Sequence, residues 1–238
     1  MSDYTPWYWK RFNFFDEADD SAREAFFARA TRRSHRKKVV LFTPTDPANT
    51  IFYLHSGVVK IYHLSVHGDP TIFWFCVPGD LFGAGGLAGS LQQSVYGEVM
   101  EPSVIFTISR TAFEELLTCY PRLALNVIRL LGARLRLACD SMTDLASQMT
   151  DVRLSRALLR LAFNWGLQWE AGVVLRIKIT NEELANMIGA SRQTVNEALR
   201  DFCARGLIDI RRRVITIPQP ERLQALIDAM TAERNRRH

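Results

Sequence analysis

The stretch Thr180 to Gly206, TNEELANMIGASRQTVNEALRDFCARG, constrains this chain most, because it spells two short helices joined by a tight turn. Thr180 and Glu183 have the spacing of a capping box, in which each side chain satisfies an orphan backbone donor at a helix start. Leu184, Ala185 and Ile188 give the first helix one buried stripe, and Gly189 supplies the backbone freedom that the turn needs. Ser191 caps a second helix whose inner face is Val195, Ala198, Leu199 and Phe202, and Gly206 is placed to close it. The positions left outside are Arg192, Gln193, Thr194, Asn196 and Glu197, with Arg200 one turn later. A helix-turn-helix presents that part of its second helix to base edges in the major groove. There Arg can grip guanine with two hydrogen bonds, and Gln or Asn can do the same for adenine. A plain antiparallel helix pair with a polar outer face has the same spacing, so the surrounding residues must separate the two readings.

The next residues favour DNA. Leu207 to Ile210, then Arg211-Arg212-Arg213, then Val214 to Ile217 read as a hairpin with a basic tip, the wing of a winged helix over phosphates. Charge is placed to match. Residues 1–149 carry 15 Lys and Arg against 15 Asp and Glu, while residues 150–238 carry 15 against 10, so the whole net charge of +5 lies in the second part. A basic module beside a neutral one suits phosphate binding. The candidate DNA-contact set is therefore Ser191, Arg192, Gln193, Thr194, Asn196, Glu197 and Arg200, with Thr180 and Arg212.

The run IGASRQTVNEALRDFCARGLIDIRRRVITI resembles the DNA-binding domain of the cyclic-AMP receptor / fumarate-nitrate reduction regulator (CRP/FNR) family of bacterial transcription factors, with helix, turn, helix and wing in the family's order. The earlier part of the chain can be compared with the same family. From Val39 to Ile108 short apolar runs (39–42, 50–54, 58–62, 71–75, 104–108) are broken by Asp46-Pro47, Ser56-Gly57, His67-Gly68-Asp69-Pro70 and Pro78-Gly79-Asp80. That punctuation predicts an antiparallel sandwich or barrel. FYLHSGVVKIY, the Pro-Gly-Asp turn and Leu81-Phe82-Gly83 resemble the family's β-roll, so the resemblance spans residues 30–217. The implied class is α+β. Residues 1–120 would form an effector-sensing antiparallel β-roll, cyclic-nucleotide-binding-like; 121–149 a dimerisation helix; and 150–238 a winged helix-turn-helix domain. Ahead of the roll, the aromatic residues Trp7, Tyr8, Trp9, Phe12, Phe14 and Phe15 should pack against the first domain. Asp19 to Thr31 has helical periodicity, and Arg32-Arg33-Ser34-His35-Arg36-Lys37-Lys38 reads as a solvated connector.

The segment after Pro121 carries two apolar rows. Ala124, Ile128, Leu131, Leu135, Ala138, Met142, Leu145 and Met149 alternate at spacings of 4 and 3, the pattern of a helix–helix seam. Leu123, Val127, Leu130 and Leu137 form a second row for the chain's own roll. One helix with two stripes needs two partners. The expectation is a parallel homodimer through Ile128, Leu131, Leu135, Ala138, Met142 and Leu145, which the resemblance also implies; a single buried helix in a monomer is the other reading. The hinge to the DNA-binding domain is expected at Met149 to Asp151, before a helix from Val152 to Trp165 and a strand from Val173 to Ile179.

In the family's nucleotide-binding members an acid just after the Phe-Gly takes the ribose, and an Arg further on pairs with the phosphate. Here the cassette runs from Phe82 to Tyr96. Ala84 stands where the acid should be, and Gln93 and Ser94 where the Arg should be. The family's adenine-contacting pair falls on Ala138 and Cys139, neither of which has a hydroxyl. The resemblance therefore predicts an effector pocket around Gly83, Ala84, Gly85, Ser94, Tyr96, Trp74 and Cys139 that does not take cyclic AMP. No cysteine precedes Cys76, which argues against the iron-sulfur members. Haem remains open through Cys76, His63 or His67, as do an apolar effector against Phe73, Trp74, Phe75 and Tyr96, and control by abundance alone.

Other classes fit poorly. There is no apolar run long enough to span a membrane and no secretory leader, so the expected location is cytoplasmic, without a membrane partner. Cys76, Cys119, Cys139 and Cys203 are widely spaced, which suits free thiols. No nucleophile elbow, HExxH or phosphate loop suggests an enzyme. The partners expected are a duplex operator with two half-sites, a second copy of the chain, an unknown small-molecule effector, and RNA polymerase if the regulator activates. A ligand-binding module with an inert helix-turn-helix is the rival.

Overall fold

The computed structural model describes residues 13–147, 149–169, 172–175 and 177–236. They divide into two compact units, one up to Leu135 and one from Arg136 onward. Trp7, Tyr8, Trp9 and Phe12 lie outside the described residues.

The first unit opens with α1 (Asp20–Arg29) and closes with α2 (Arg110–Cys119) and the start of α3 (Pro121–Ser147). Between them lie β1 (Thr31–His35), β2 (Val40–Phe42), β3 (Thr50–Ser56), β4 (Val59–Leu64), β5 (Pro70–Cys76), β6 (Leu81–Phe82), β7 (Tyr96–Val99) and β8 (Ser103–Ser109). A 3-10 turn, Ala84–Ala88, follows β6. The strands form two antiparallel sheets, ordered β1-β8-β3-β6 and β2-β7-β4-β5. All five apolar runs are strands. Between the sheets Phe42, Phe52, Leu54, Val59, Ile61, Cys76, Phe82, Val99 and Ile105 make one core.

Residues 32–38 correct the sequence reading, since Arg32 to His35 are not a connector. They belong to β1, which pairs with β8 in the register Arg32↔Phe106 and Arg33↔Ile105. Four of its five residues are exposed, so it has no apolar alternation to read; backbone hydrogen bonds hold it.

A second core joins Phe14, Phe15, Phe26, Tyr53, Phe113 and Leu116 to Leu123, Val127 and Leu130 of α3. Several of its aromatic pairs meet edge to face, among them Phe14 and Phe26 at 5.5 Å between centroids. The Asn126 amide donates to the carbonyls of Phe14, at 3.0 Å, and Asp16, at 2.7 Å, which ties the N-terminal segment to α3. Leu137 is not part of this core. The opposite row of α3 is bare: Ile128, Leu131, Leu135, Met142 and Leu145 are 65, 46, 66, 69 and 53% exposed.

The second unit holds α4 (Thr150–Trp165), β9 (Gly166–Trp169), β10 (Gly172–Leu175), α5 (Asn181–Ile188), α6 (Arg192–Ala204), β11 (Asp209–Arg211), β12 (Val214–Ile217) and α7 (Pro220–Asn235). Its sheet runs β11-β12-β10-β9. The single strand expected from Val173 to Ile179 is instead the second arm of a hairpin and ends at Leu175. Buried Leu154, Leu158 and Leu161 of α4, Leu184 and Ile188 of α5, and Val195, Leu199 and Phe202 of α6 form the apolar interior with Leu223 and Ile227 of α7. The last turns of α3 are built into this unit. Asp144 is 3% exposed and pairs with Arg156 of α4. Burial lifts the Asp144 carboxyl above its ordinary range, while Arg156 and Arg160 oppose that shift.

Candidate nucleic-acid interface and effector site

The capping box at the start of α5 is complete. Thr180 Oγ1 accepts from Glu183 N at 3.1 Å, and Glu183 Oε2 accepts from Thr180 N at 2.8 Å. The Thr180 hydroxyl also donates to that carboxylate, so Thr180 orients α5. Gly189 sits at φ 61 in the left-handed region that glycine tolerates. A Cβ there would lie 2.6 Å from Leu145 Cδ2, so the turn packs closely against the end of α3. Ser191 caps α6 by accepting from Thr194 N at 3.0 Å.

Four apolar positions then set the helix face. Val195, Ala198, Leu199 and Phe202 are buried. That leaves Arg192, Gln193, Glu197 and Arg200 exposed, with Thr194 and Asn196 half-buried at the margin. The outer side chains are partly ordered by one another. Gln193 donates to Glu197 at 3.1 Å, and the Asn181 amide donates to Asn196 Oδ1. Arg192 and Arg200 have no carboxylate partner among the described residues. Two free guanidiniums on a capped, well-packed helix can meet base edges or phosphates without breaking an existing ion pair.

The wing is anchored and strained. β12 pairs with β11 on one side and with β10 on the other, Val173 opposite Ile217. The two-residue tip places Arg212 at φ 50 and Arg213 at φ 64. Both are in the left-handed region, which disfavours a residue with a Cβ by roughly 1–2 kcal/mol. Hairpin tips of this kind prefer Asn-Gly. Arg213→Gly is therefore expected to raise stability by about 0.5–1 kcal/mol, allowing for glycine's greater freedom in the unfolded chain. The same change should weaken DNA binding by the loss of one phosphate contact. Thermal melting and a binding titration on one preparation check both signs.

In the roll, the cassette after β6 is closed by its own side chains. Gly83 is at φ 73, and a Cβ on it would lie 2.5 Å from the Phe52 ring. Ala84 and Gly85 follow in the 3-10 turn. Gln93 is 5% exposed, and its amide donates to the Gly83 carbonyl at 3.4 Å. Ser94 is exposed, so of the two residues expected at the arginine position it is Gln93, not Ser94, that faces inward. Trp74 packs against the core between the sheets. Tyr96 does not: its ring stacks on Tyr62 at 5.0 Å, on the face of β7 opposite Gly97 and Val99. Arg134 of α3 donates to the Leu81 carbonyl at 2.6 Å, and its guanidinium lies 5.1 Å from the Trp74 ring centroid.

The remaining candidates do not converge. Cys139 is exposed on the second unit's part of α3. Cys76 is fully buried opposite Val59, and burial raises its thiol to about 12. His63 is exposed and pairs with Thr71 at the other end of the same hairpin, and His67 is exposed in its turn. Four residues of strand, about 13 Å, separate Val59 from His63. An axial pair drawn from Cys76 and these histidines does not form.

Two family models match the chain. The Crp-like helix-turn-helix domain covers residues 152–226 and the cyclic nucleotide-binding domain covers residues 32–120. The "CRP-like cAMP-activated global transcriptional regulator" of Mycobacterium tuberculosis is 28% identical over 77% of this chain and 82% of its own length. The "Electron transport regulator A" of Shewanella oneidensis is 24% identical over 90% of this chain and 82% of its own. Among solved structures, FixK2 from Bradyrhizobium japonicum has the same fold with a TM-score of 0.74, at 23% identity over 83% of this chain and 96% of that one. The c-di-GMP responsive regulator CLP of Xanthomonas campestris also scores 0.74, at 23% identity over 84% and 100%. With a β-roll, a long α3 and a capped, winged helix-turn-helix in the order of both models, the chain belongs to the CRP/FNR family of DNA-binding transcription regulators.

Proposed function

We propose that this regulator acts as a cytoplasmic homodimer, joined along α3, that reads a two-half-site operator and responds to something other than cyclic AMP. The observation that carries the effector reading is Gln93. A neutral amide, 5% exposed and bonded to the Gly83 carbonyl, occupies the position where the family's phosphate arginine is expected. A phosphate entering beside Gln93 would lose water with no cation at that position, and Arg134 would have to leave the Leu81 carbonyl and the Trp74 ring to reach it; an unpaired buried charge is penalised by several kcal/mol. Ala84 offers the ribose no carboxylate. The Mycobacterium relative is named for activation by cAMP and the Xanthomonas one for its response to c-di-GMP, but neither ligand carries over to a cassette built this way. No geometry favours haem either: the Cys76 thiol is buried between the sheets and held protonated, and His63 and His67 are exposed toward the far end of the hairpin. An effector, or a change in abundance, must favour one arrangement of the DNA-binding units over another to switch transcription. RNA polymerase is a further partner if the outcome is activation.

One experiment tests both halves. An operator is selected from random duplexes by the protein itself, and wild type and Arg192→Ala are titrated on it with and without cyclic AMP. Arg192→Ala should cost roughly 1–3 kcal/mol on the selected site and far less on random DNA. Cyclic AMP should change neither curve. Equal loss on both DNAs would reduce Arg192 to a phosphate contact, and tightening by cyclic AMP would overturn the effector reading.

A further inference from the structure

The first unit is electrically neutral in sum but not in layout. Residues 29–38 hold Arg29, Arg32, Arg33, Arg36, Lys37 and Lys38, and no Asp or Glu occurs between Glu24 and Asp46. Arg32 and Arg33 lie on β1, the outermost strand of its sheet, and alternate to its two faces. The neighbouring strand β8, SVIFTIS, brings no acid. Arg32, Arg33, Arg36, Lys37 and Lys38 are all exposed, and none has an ion-pair partner among the described residues. Lys38 is held at φ 71, a strained conformation for a lysine. The one titratable neighbour in the strand feels the patch: burial and the Arg33 guanidinium push His35 below its usual range.

Charged side chains can simply guard an edge strand against pairing with another chain. A device of that kind needs one or two lysines, not a run of cations rich in arginine. Guanidiniums favour phosphate, which they grip with two parallel hydrogen bonds. We propose that the β1 edge and the turn that follows it, Arg32 to Lys38, form a second, sequence-independent docking surface for the phosphodiester backbone of duplex DNA, separate from the recognition helix. The choice of duplex DNA over another polyanion rests on the chain's being a DNA-binding regulator.

The test uses the full chain and random-sequence duplex, with affinity followed across about 50–200 mM salt. Arg33→Gln, Arg36→Gln and Lys37→Gln are combined in one variant; all three are exposed, so its thermal midpoint should match wild type. If each held a phosphate, the slope of log affinity against log salt should become shallower by up to about 2.7, or 0.9 for each cation. An unchanged slope would overturn the proposal and leave the patch as edge protection. Displacement of the duplex by polyglutamate from wild type but not from the variant, at equal charge concentration, would also overturn it, in favour of an acidic protein. Arg192→Ala, run alongside, keeps the two readings apart: failure of the recognition-helix reading appears on the selected operator, failure of this one on random DNA.

Discussion

Leu135→Glu is expected to convert the protein to monomers and abolish binding to a two-half-site operator, while each chain stays folded. Leu135 is 66% exposed in the single chain, so a carboxylate there costs the monomer little. It lies in a row of α3 whose large apolar members, Ile128, Leu131, Leu135, Met142 and Leu145, are all at least 46% exposed. The facing row, Leu123, Val127 and Leu130, is already buried in the chain's own core. An apolar stripe of this length needs a partner. Burying a leucine is worth roughly 1.5–3 kcal/mol, and a two-fold interface uses each residue twice, so removing Leu135 forfeits about 3–6 kcal/mol before the two carboxylates repel. That is on the order of 100- to 10,000-fold in dimer affinity. Sedimentation and a binding titration on the same sample decide the matter. A variant that still sediments as a dimer removes the stripe from the interface.

Phe202→Ala should have the larger effect on folding and end DNA binding by a different route. Phe202 is 0% exposed and is the last of the four buried positions that seat α6. Its carbonyl also accepts from Leu207 N at 2.9 Å, where the chain turns from α6 toward the wing. Truncating a fully buried Phe costs about 3–5 kcal/mol, which approaches the whole stability of a domain near the low end of roughly 5–15 kcal/mol. For a unit of this size the melting temperature should fall by at least about 12 °C. The contrast with Arg192→Ala is informative, since that side chain is exposed and its loss should leave melting unchanged. A Phe202→Ala protein that melts like wild type and keeps its operator affinity would show that α6 is not seated by this residue.

Much of this architecture could be read from near neighbours in the chain. Thr180 and Glu183 are three residues apart, and their reciprocal bonds form wherever a helix begins. Gly189 has φ 61 because the turn demands it, and a glycine is the residue that accepts it. The two rows of α3 follow from helical spacing alone, and the structure buries one and leaves the other open. The same logic identified the buried faces of α5 and α6 and the strands that carry apolar runs.

Where the reading stopped, the deciding partner was far away or the pattern had no period. β1 is polar on both faces, and it is a strand only because β8, some seventy residues later, offers its backbone at Ser103 to Thr107. The inward residue of the cassette was undecided between Gln93 and Ser94. In extended chain one residue of register exchanges the buried face for the solvent face, and nothing local sets that choice. The backbone of Gln93, donating to the Asp46 carbonyl at 2.9 Å, sets it here. Arg134 reaches the Leu81 carbonyl across 53 residues of sequence. The sequence by itself thus determined the helices α3 to α6, the caps of α5 and α6, their apolar faces and the side chains that α6 leaves outside, because those depend on contacts within a turn or two. Only the tertiary structure decided that the cassette is closed by a neutral amide and that a basic strand forms the edge of the roll, because both depend on hydrogen bonds between segments the chain brings together only when folded.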